Sequence, residues 1–329
     1  MITTVVSDLA IPSQAMRDAL PRAMETVAEH DAVMSGLAAM TSLEAGGAAL
    51  SSAPLAFPIT VSAWNLERCL FVEDSAIHLK QRAPAVVLLS EMDNGMARTG
   101  QRHTTRDLAG CMDMAYAYGV EFLELGLGSD TEREFCADAF NLKGFHGNGL
   151  LSAGPIRDPF MIRLWGERLW RGDKDQPRIG ERCAVGGLID TTFGPFVAVS
   201  VHLESATTAA YREKQTADLI DRLEEAFPDL PILIGGDLNT GNHAGGDFEA
   251  EGLFAMSATR GFTRHGGPLD QMTTRPSLIT RWPDRAMKLD WFLTRGLDLA
   301  ETVITPSLDP SGRPLSDHDP ITTRILGFL

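Results

Sequence analysis

Short apolar runs recur along this 329-residue chain, and several of them end at or enclose one polar side chain of a kind that does chemistry. ITVSAW leads into Asn65, AVVLLSE (85–91) closes on Glu91, and FVAVSVHL (196–203) carries His202. PILIGGD (231–237) closes on Asp237, and LDWFLT (289–294) encloses Asp290; VEFLEL (120–125) belongs to the same set. Runs this short and this rich in Val, Ile, Leu and Phe predict β-strands. Being apolar on nearly every residue, they need cover on both faces, which predicts sheets packed against each other and against helices. Lone polar groups at strand ends would then gather on one rim while the core holds the backbone still.

The helical periodicity is clearest from Thr208 to about Ala226. There Tyr211, Leu219, Ile220, Leu223 and Phe227 form an apolar stripe that Pro228 ends. Further helices are expected from His103 to Ala115 and from Asp130 to Phe140. The first residues, rich in Ala and Met and ending in GGAALSSAP, predict an appended helical extension over 1–56 before a catalytic domain over 57–329. In it Met16, Leu20, Met24 and Val27 share one helical face, Ser13 is a candidate N-cap, and Pro21 kinks the helix or starts a second one.

With 44% hydrophobic and 22% charged residues the chain has ordinary globular usage, which excludes disorder. No apolar run approaches the roughly 20 residues of a membrane helix. The start lacks a basic segment followed by an apolar one, so a cytoplasmic location is expected. Cys69, Cys111, Cys136 and Cys183 form no CxxC pair and are expected as reduced thiols. A net charge of -15 argues against an enzyme that tracks duplex nucleic acid, which needs many cations facing phosphate.

Asn65 and Glu91 offer the hard oxygen ligands that Mg2+ prefers. Asp237 and Asn239, two apart after an apolar strand, can share one side: Asp237 to orient or deprotonate water, Asn239 to donate to a phosphate oxygen. In LSDHDP, a carboxylate at Asp317 beside His318 would raise the imidazole pKa and fix its tautomer. His202 and Asp290 lie inside apolar strands, where an unpaired polar group is costly. Each position also has a plain structural use, as a cap, a satisfied core group or, for Asn239, a left-handed turn residue.

Taken in order, SAWN, VVLLSE, HGNGLLS, VSVHLES, GGDLN, LDWFL and SDHDP, spread from about Ile59 to Ile325, resemble the endonuclease/exonuclease/phosphatase superfamily with its deoxyribonuclease I-like fold. The resemblance implies an α/β (α+β) architecture, a four-layer αββα sandwich of two mostly antiparallel sheets. It implies a hydrolase using one or two Mg2+ or Mn2+ ions held by Asn65, Glu91 and Asp290. Catalytic roles fall to His202, Asp237, Asn239, Asp317 and His318, with His202 placed to help protonate the leaving oxygen and Asn148 near the scissile phosphate.

The stretch EMDNGMARTGQRHTTRD departs from the family's usual continuation. It concentrates Arg98, Arg102, His103 and Arg106, which could read a second anionic group, and His146 could stand at the mouth of the site. The expected function is therefore a metal-dependent phosphoesterase cutting a phosphomonoester or phosphodiester by in-line attack of water, with a small, multiply charged substrate favoured. A nuclease on single-stranded or short nucleic acid and a silent phospho-ligand-binding module are the alternatives. Oligomeric state is left open.

Overall fold

Strands form where the apolar runs predict them, and their alternate faces feed separate cores. The computed structural model describes residues 1–20, 25–172, 176–242 and 245–329. Among these residues one ten-stranded mixed sheet has the order Val5–Val6, Leu43–Gly47, Ala115–Glu124, Phe145–Ser152, Val86–Asn94, Ile59–Arg68, Ile321–Phe328 and Leu297–Leu299. Arg178–Gly180 and Val303–Ile304 attach beside this path. A six-stranded sheet has the order Thr263–His265, Asp290–Arg295, Ile232–Asp237, Gly194–His202, Cys183–Thr191 and Ile156–Arg163.

Val61, Ala63, Val86 and Leu88 of the first sheet meet Val185, Ala198, Leu233 and Phe292 of the second in a core between the sheets. Residues one step along, Trp64, Val87 and Leu89, face outward and pack with Val72 and Leu79 of helix Val72–Lys80 and Leu108 of helix Thr104–Met112. On the other outer face Val197, Val199 and Ile234 pack with Leu219, Ile220 and Leu223 of helix Ala209–Ala226 and Leu253 of helix Gly252–Thr259. The period of two along each strand thus yields helix, sheet, sheet, helix.

Two parallel strand pairs, each joined by a crossover helix, position the site. Ile59–Arg68 runs parallel to Val86–Asn94 across helix Val72–Lys80. Gly194–His202 runs parallel to Ile232–Asp237 across helix Ala209–Ala226. A crossover brings both carboxyl ends of a pair to the same rim, and the two pairs share that rim. Gly235 lets the sheets close beneath it, since a Cβ there would lie 2.6 Å from Phe292 Cδ1 and 2.7 Å from Leu88 Cδ1.

Three local expectations are corrected. The helix expected from Asp130 to Phe140 stops at Arg133, because its capping box closes one turn and the residues beyond form turns. The amino-terminal segment has the Ser13 cap on helix Gln14–Ala19 and a second helix, Val27–Gly36, begun by a Thr26–Glu29 capping box. The shared apolar face fails, however: Leu20 is buried, but Met16 and Val27 are each 40% exposed, while Pro21 and Met24 lie outside the described residues. The same segment also contributes sheet, since Leu43–Gly47 pairs with Ala115–Glu124 and Val5–Val6 pairs with Leu43 and Glu44. Ile2 exchanges backbone hydrogen bonds of 2.8 and 2.9 Å with Met161 of the other sheet.

Candidate active site

His202, Asp237 and Asp290 are one row of the second sheet: Asp237 is the register partner of His202 on one side and of Asp290 on the other. Register partners point their side chains to the same face, so this row presents three polar groups together. From the first sheet, Asn65 donates through Nδ2 to Glu91 Oε1 at 3.0 Å and to Asp237 Oδ2 at 3.1 Å, joining the sheets. Its Oδ1 is taken by the Glu67 N–H at 3.0 Å, so Asn65 faces the carboxylates with its amide hydrogens. The last loop docks on the same strand: Trp64 Nε1 donates to the His318 carbonyl at 2.8 Å and Ser316 Oγ to that of Asn65 at 2.7 Å.

Asp237 Oδ2 lies 3.6 Å from Nε2 of both His202 and His318, and the three are buried. Burial, with Asp290 adding to it, pushes the Asp237 carboxyl up to about 7 although His318 opposes the shift. His318 shows the reverse balance. Burial alone would lower its pKa, but Asp290, Asp237 and Asp317 raise it to about 10. His202 is held well below its usual value by burial and by Arg182, whose Nη1 lies 2.9 and 3.0 Å from the two ring nitrogens. Burial and Arg182 thus favour the neutral form of this imidazole in the unliganded site.

The partner that orients His318 is Asp290, whose Oδ2 lies 2.8 Å from Nδ1. Asp317, expected in that role, is 3.9 Å from Nε2 and instead pairs with Arg285 at 3.0 Å. Chain neighbours in a loop project in different directions, whereas Asp290 reaches the ring from the adjacent strand. Asn239 takes a left-handed φ of 51° and spends one amide hydrogen on the Leu203 carbonyl at 3.0 Å. It also donates its backbone N–H to Asp237 Oδ1 at 2.8 Å, fixing that carboxylate. Glu67, Arg68 and Glu91 likewise have positive φ (43°, 79° and 57°), so unusual backbone concentrates at this rim.

The remaining expected binding residues do not line the cavity. Arg98 is buried and bound by Asp93 at 2.8 Å, Glu124 at 2.8 Å and Glu132 at 2.9 Å. Arg102 pairs with Glu73 and Asp107, and Arg106 lies on the surface. His103 caps helix Thr104–Met112 and places Nε2 3.0 Å from Glu44. His146 is buried against Asp93 at 2.9 Å. Asn148 is buried behind the site, donating to Glu121 at 3.1 Å and the Cys183 carbonyl at 2.7 Å. Most of these side chains are held by partners within the protein, and none of them lines the cavity.

Other residues take their place around a cavity of about 350 Å³ that Glu91, His202, Asp237, Asn239, Asp317 and His318 also line. Arg68 contacts Glu91 and binds Glu132 at 2.8 Å. Burial would raise the Glu91 carboxyl, but the Arg68 guanidinium holds it well below the carboxylate range. Arg182 binds Glu121 at 2.6 Å and Glu204 at 3.3 Å. Trp170, Trp282 and Arg285 complete the rim. Arg68, three residues after Asn65, has a readable position; Arg182 immediately precedes strand Cys183–Thr191 with nothing local to mark it.

A divalent cation fits these residues. Asp237, Asp290 and His318 offer ligand atoms that all lie within 4.8 Å of one another, and Asp290 Oδ1 is buried without a hydrogen-bond partner. An unpaired buried carboxylate oxygen is costly, and a cation supplies what it lacks.

Two sheets whose strand ends converge on buried carboxylates and imidazoles define a catalytic domain for an anionic ester. The chain belongs to the Endonuclease/Exonuclease/phosphatase family, whose sequence profile matches residues 62–318, and is a hydrolase of phosphoric ester bonds. No curated protein matches it in sequence. Solved structures share the fold. The human Nocturnin catalytic domain with bound sulfate anion has a TM-score of 0.58 at 16% identity, over 84% of this chain and 96% of that one. An endonuclease/exonuclease/phosphatase from Beutenbergia cavernae DSM 12333 gives 0.55 at 18%, over 82% and 72%. The mannosyl-6-phosphatase of Bacteroides thetaiotaomicron VPI-5482 gives 0.53 at 13%, over 82% and 100%.

Proposed function

We propose that the chain is a divalent-metal-dependent phosphoesterase that cleaves a small phosphomonoester or phosphodiester by in-line attack of water. The observation that carries this reading is the placement of Asp237 midway between two imidazoles of opposite character, 3.6 Å from each. A carboxyl poised near 7 suits a base that takes a proton from water and releases it again. His318, kept protonated by Asp290, donates a hydrogen bond to a nonbridging oxygen as charge builds there. Neutral His202, backed by Arg182 and Glu121, orients the ester or the water.

Asp237 and Asp290 would hold the metal, completed by Glu91 with Asn65 beside it, which leaves His318 protonated for its donor role. Oxygen donors of this kind suit Mg2+ or Mn2+. When bound, the ion supplies Lewis acidity at phosphoryl oxygen and a lowered pKa for water. Residues 57–329 form the catalytic domain, with 1–56 an extension that also completes a sheet edge. No described helix is long and apolar enough to cross a membrane. Free thiols at Cys69, Cys111, Cys136 and Cys183 fit a reducing compartment such as the cytoplasm.

Purified protein screened against sugar phosphates, nucleotides, phosphodiesters and oligonucleotides, with and without Mg2+ or Mn2+, tests the reading. Metal-dependent turnover of small esters is expected. Cleavage of oligonucleotides alone would overturn the choice of substrate size.

A further inference from the structure

The walls of the cavity differ in kind, and the difference bears on what the ester carries; the inference rests on the phosphoesterase reading above. One wall comes from the segment holding Ile279, Thr280 and Trp282, the other from Ser205, Ala206 and Asn242, which are small or polar. Trp282 leaves 67% of its surface exposed beside the reacting groups. Its segment is anchored at several points. Glu67 Oε1 accepts from Ser277 Oγ at 2.7 Å and from the Thr280 N–H at 3.0 Å. Arg281 pairs with Glu134, and Arg285 pairs with Asp317 while standing 5.7 Å from the indole. A large aromatic held in water at the edge of an active-site cavity is a surface for a ligand ring.

The second indole on the rim is already used. Trp170 Nε1 donates to both Glu204 oxygens at 2.9 Å, and the Arg178 and Arg182 guanidinium groups stand 4.9 and 5.9 Å from its ring. Each cation has a carboxylate: Arg68 has Glu91 and Glu132, Arg182 has Glu121 and Glu204, and Arg285 has Asp317 at Nη2, although its buried Nε has no hydrogen-bond partner. A second phosphate would meet no unmatched cation among the described residues of the wall, in a chain of net charge -15. A cavity of about 350 Å³ matches a phosphate with one ring system.

We infer that the site selects an ester of a single phosphate whose organic group carries a planar ring, and that Trp282 is the platform on which the ring stacks. This replaces the multiply charged substrate expected from the sequence.

The test compares methyl, cyclohexylmethyl and benzyl phosphate, and the matching methyl diesters, with the full-length protein, Trp282→Ala and Trp282→Phe in Mn2+ or Mg2+. All three leaving groups are simple alcohols, so the comparison isolates the ring. The benzyl ester should exceed the methyl ester about tenfold in kcat/KM, mainly through KM. Trp282→Ala should cut that ratio about five- to tenfold and Trp282→Phe should restore most of it. A ratio unchanged in Trp282→Ala, or cyclohexylmethyl matching benzyl, overturns the inference while leaving the phosphoesterase reading intact. A tenfold preference for a ring-bearing bisphosphate over its monophosphate overturns the single-anion part. No turnover of any ester with either metal removes the underlying reading, and the inference with it.

Discussion

Asp290 and His318 are 28 residues apart in the chain, yet their side chains meet at 2.8 Å between Oδ2 and Nδ1, both buried. The pairing raises the imidazole pKa from an ordinary 6.5 to about 10 against the opposing effect of burial. A folded-state pKa above the unfolded one contributes stability that is fully present below about pH 6.5 and lost as pH rises through about 10. In metal-free protein, NMR titration of His318 should show a protonated ring beyond pH 9, and Asp290→Asn should move the midpoint down by more than one pH unit. A wild-type midpoint near 6.5 would contradict the assignment.

The same values set the pH dependence of catalysis. A base at Asp237 must be ionised and a donor at His318 protonated, so kcat/KM should rise on the acid side and fall on the alkaline side, with bound metal drawing the acid limb below the value of about 7 that the Asp237 carboxyl has without metal. Asp290→Asn should bring the alkaline limb toward neutrality. An alkaline limb unmoved in that variant would remove His318 from the donor role.

Arginines that look alike in the sequence should behave differently. Arg98→Met takes the shared guanidinium from buried Asp93, Glu124 and Glu132, which keep His146, Arg178 and Arg68 respectively, and should cost about 3 kcal/mol of stability. Arg102→Ala and Arg106→Ala alter exposed or half-exposed pairs and should change stability by less than about 1 kcal/mol. KM should stay within about twofold of wild type in both. Thermal melts with steady-state kinetics check this, and a raised KM in Arg102→Ala would restore a binding role for that loop.

Metal affinity separates the two donor sets. Calorimetric titration of Mg2+ and Mn2+ should show binding weakened roughly tenfold or more in Glu91→Gln or in Asp290→Asn. Loss with Glu91→Gln places the ion beside Asn65, and loss with Asp290→Asn places it in the Asp237–Asp290–His318 cluster. Affinity unchanged in both variants would show that these carboxylates do not hold the metal.

The sequence exposed the catalytic rim because of where its polar residues sit. Asn65, Glu91, His202, Asp237 and Asp290 interrupt or end apolar strands, and a strand fixes both the position and the face of its side chains. Charged loops carry no such constraint. Arg98 read as a substrate contact because its carboxylate partners Glu124 and Glu132 lie far along the chain, beyond any local pattern. Asp317 does help raise the His318 pKa, but the bond that orients the ring comes from Asp290, because adjacency in sequence does not give adjacency in space. Trp282 and Arg182 gave no signal, because their importance comes from the cavity they line and no local spacing marks them.

The most direct test of the site is turnover of a small phosphoester by wild type and Asp237→Asn, each with and without Mg2+ or Mn2+, alongside thermal melts. The account predicts metal-dependent hydrolysis that falls roughly 10²–10⁴-fold in Asp237→Asn while the variant stays folded. Hydrolysis at the wild-type rate by folded Asp237→Asn would contradict it.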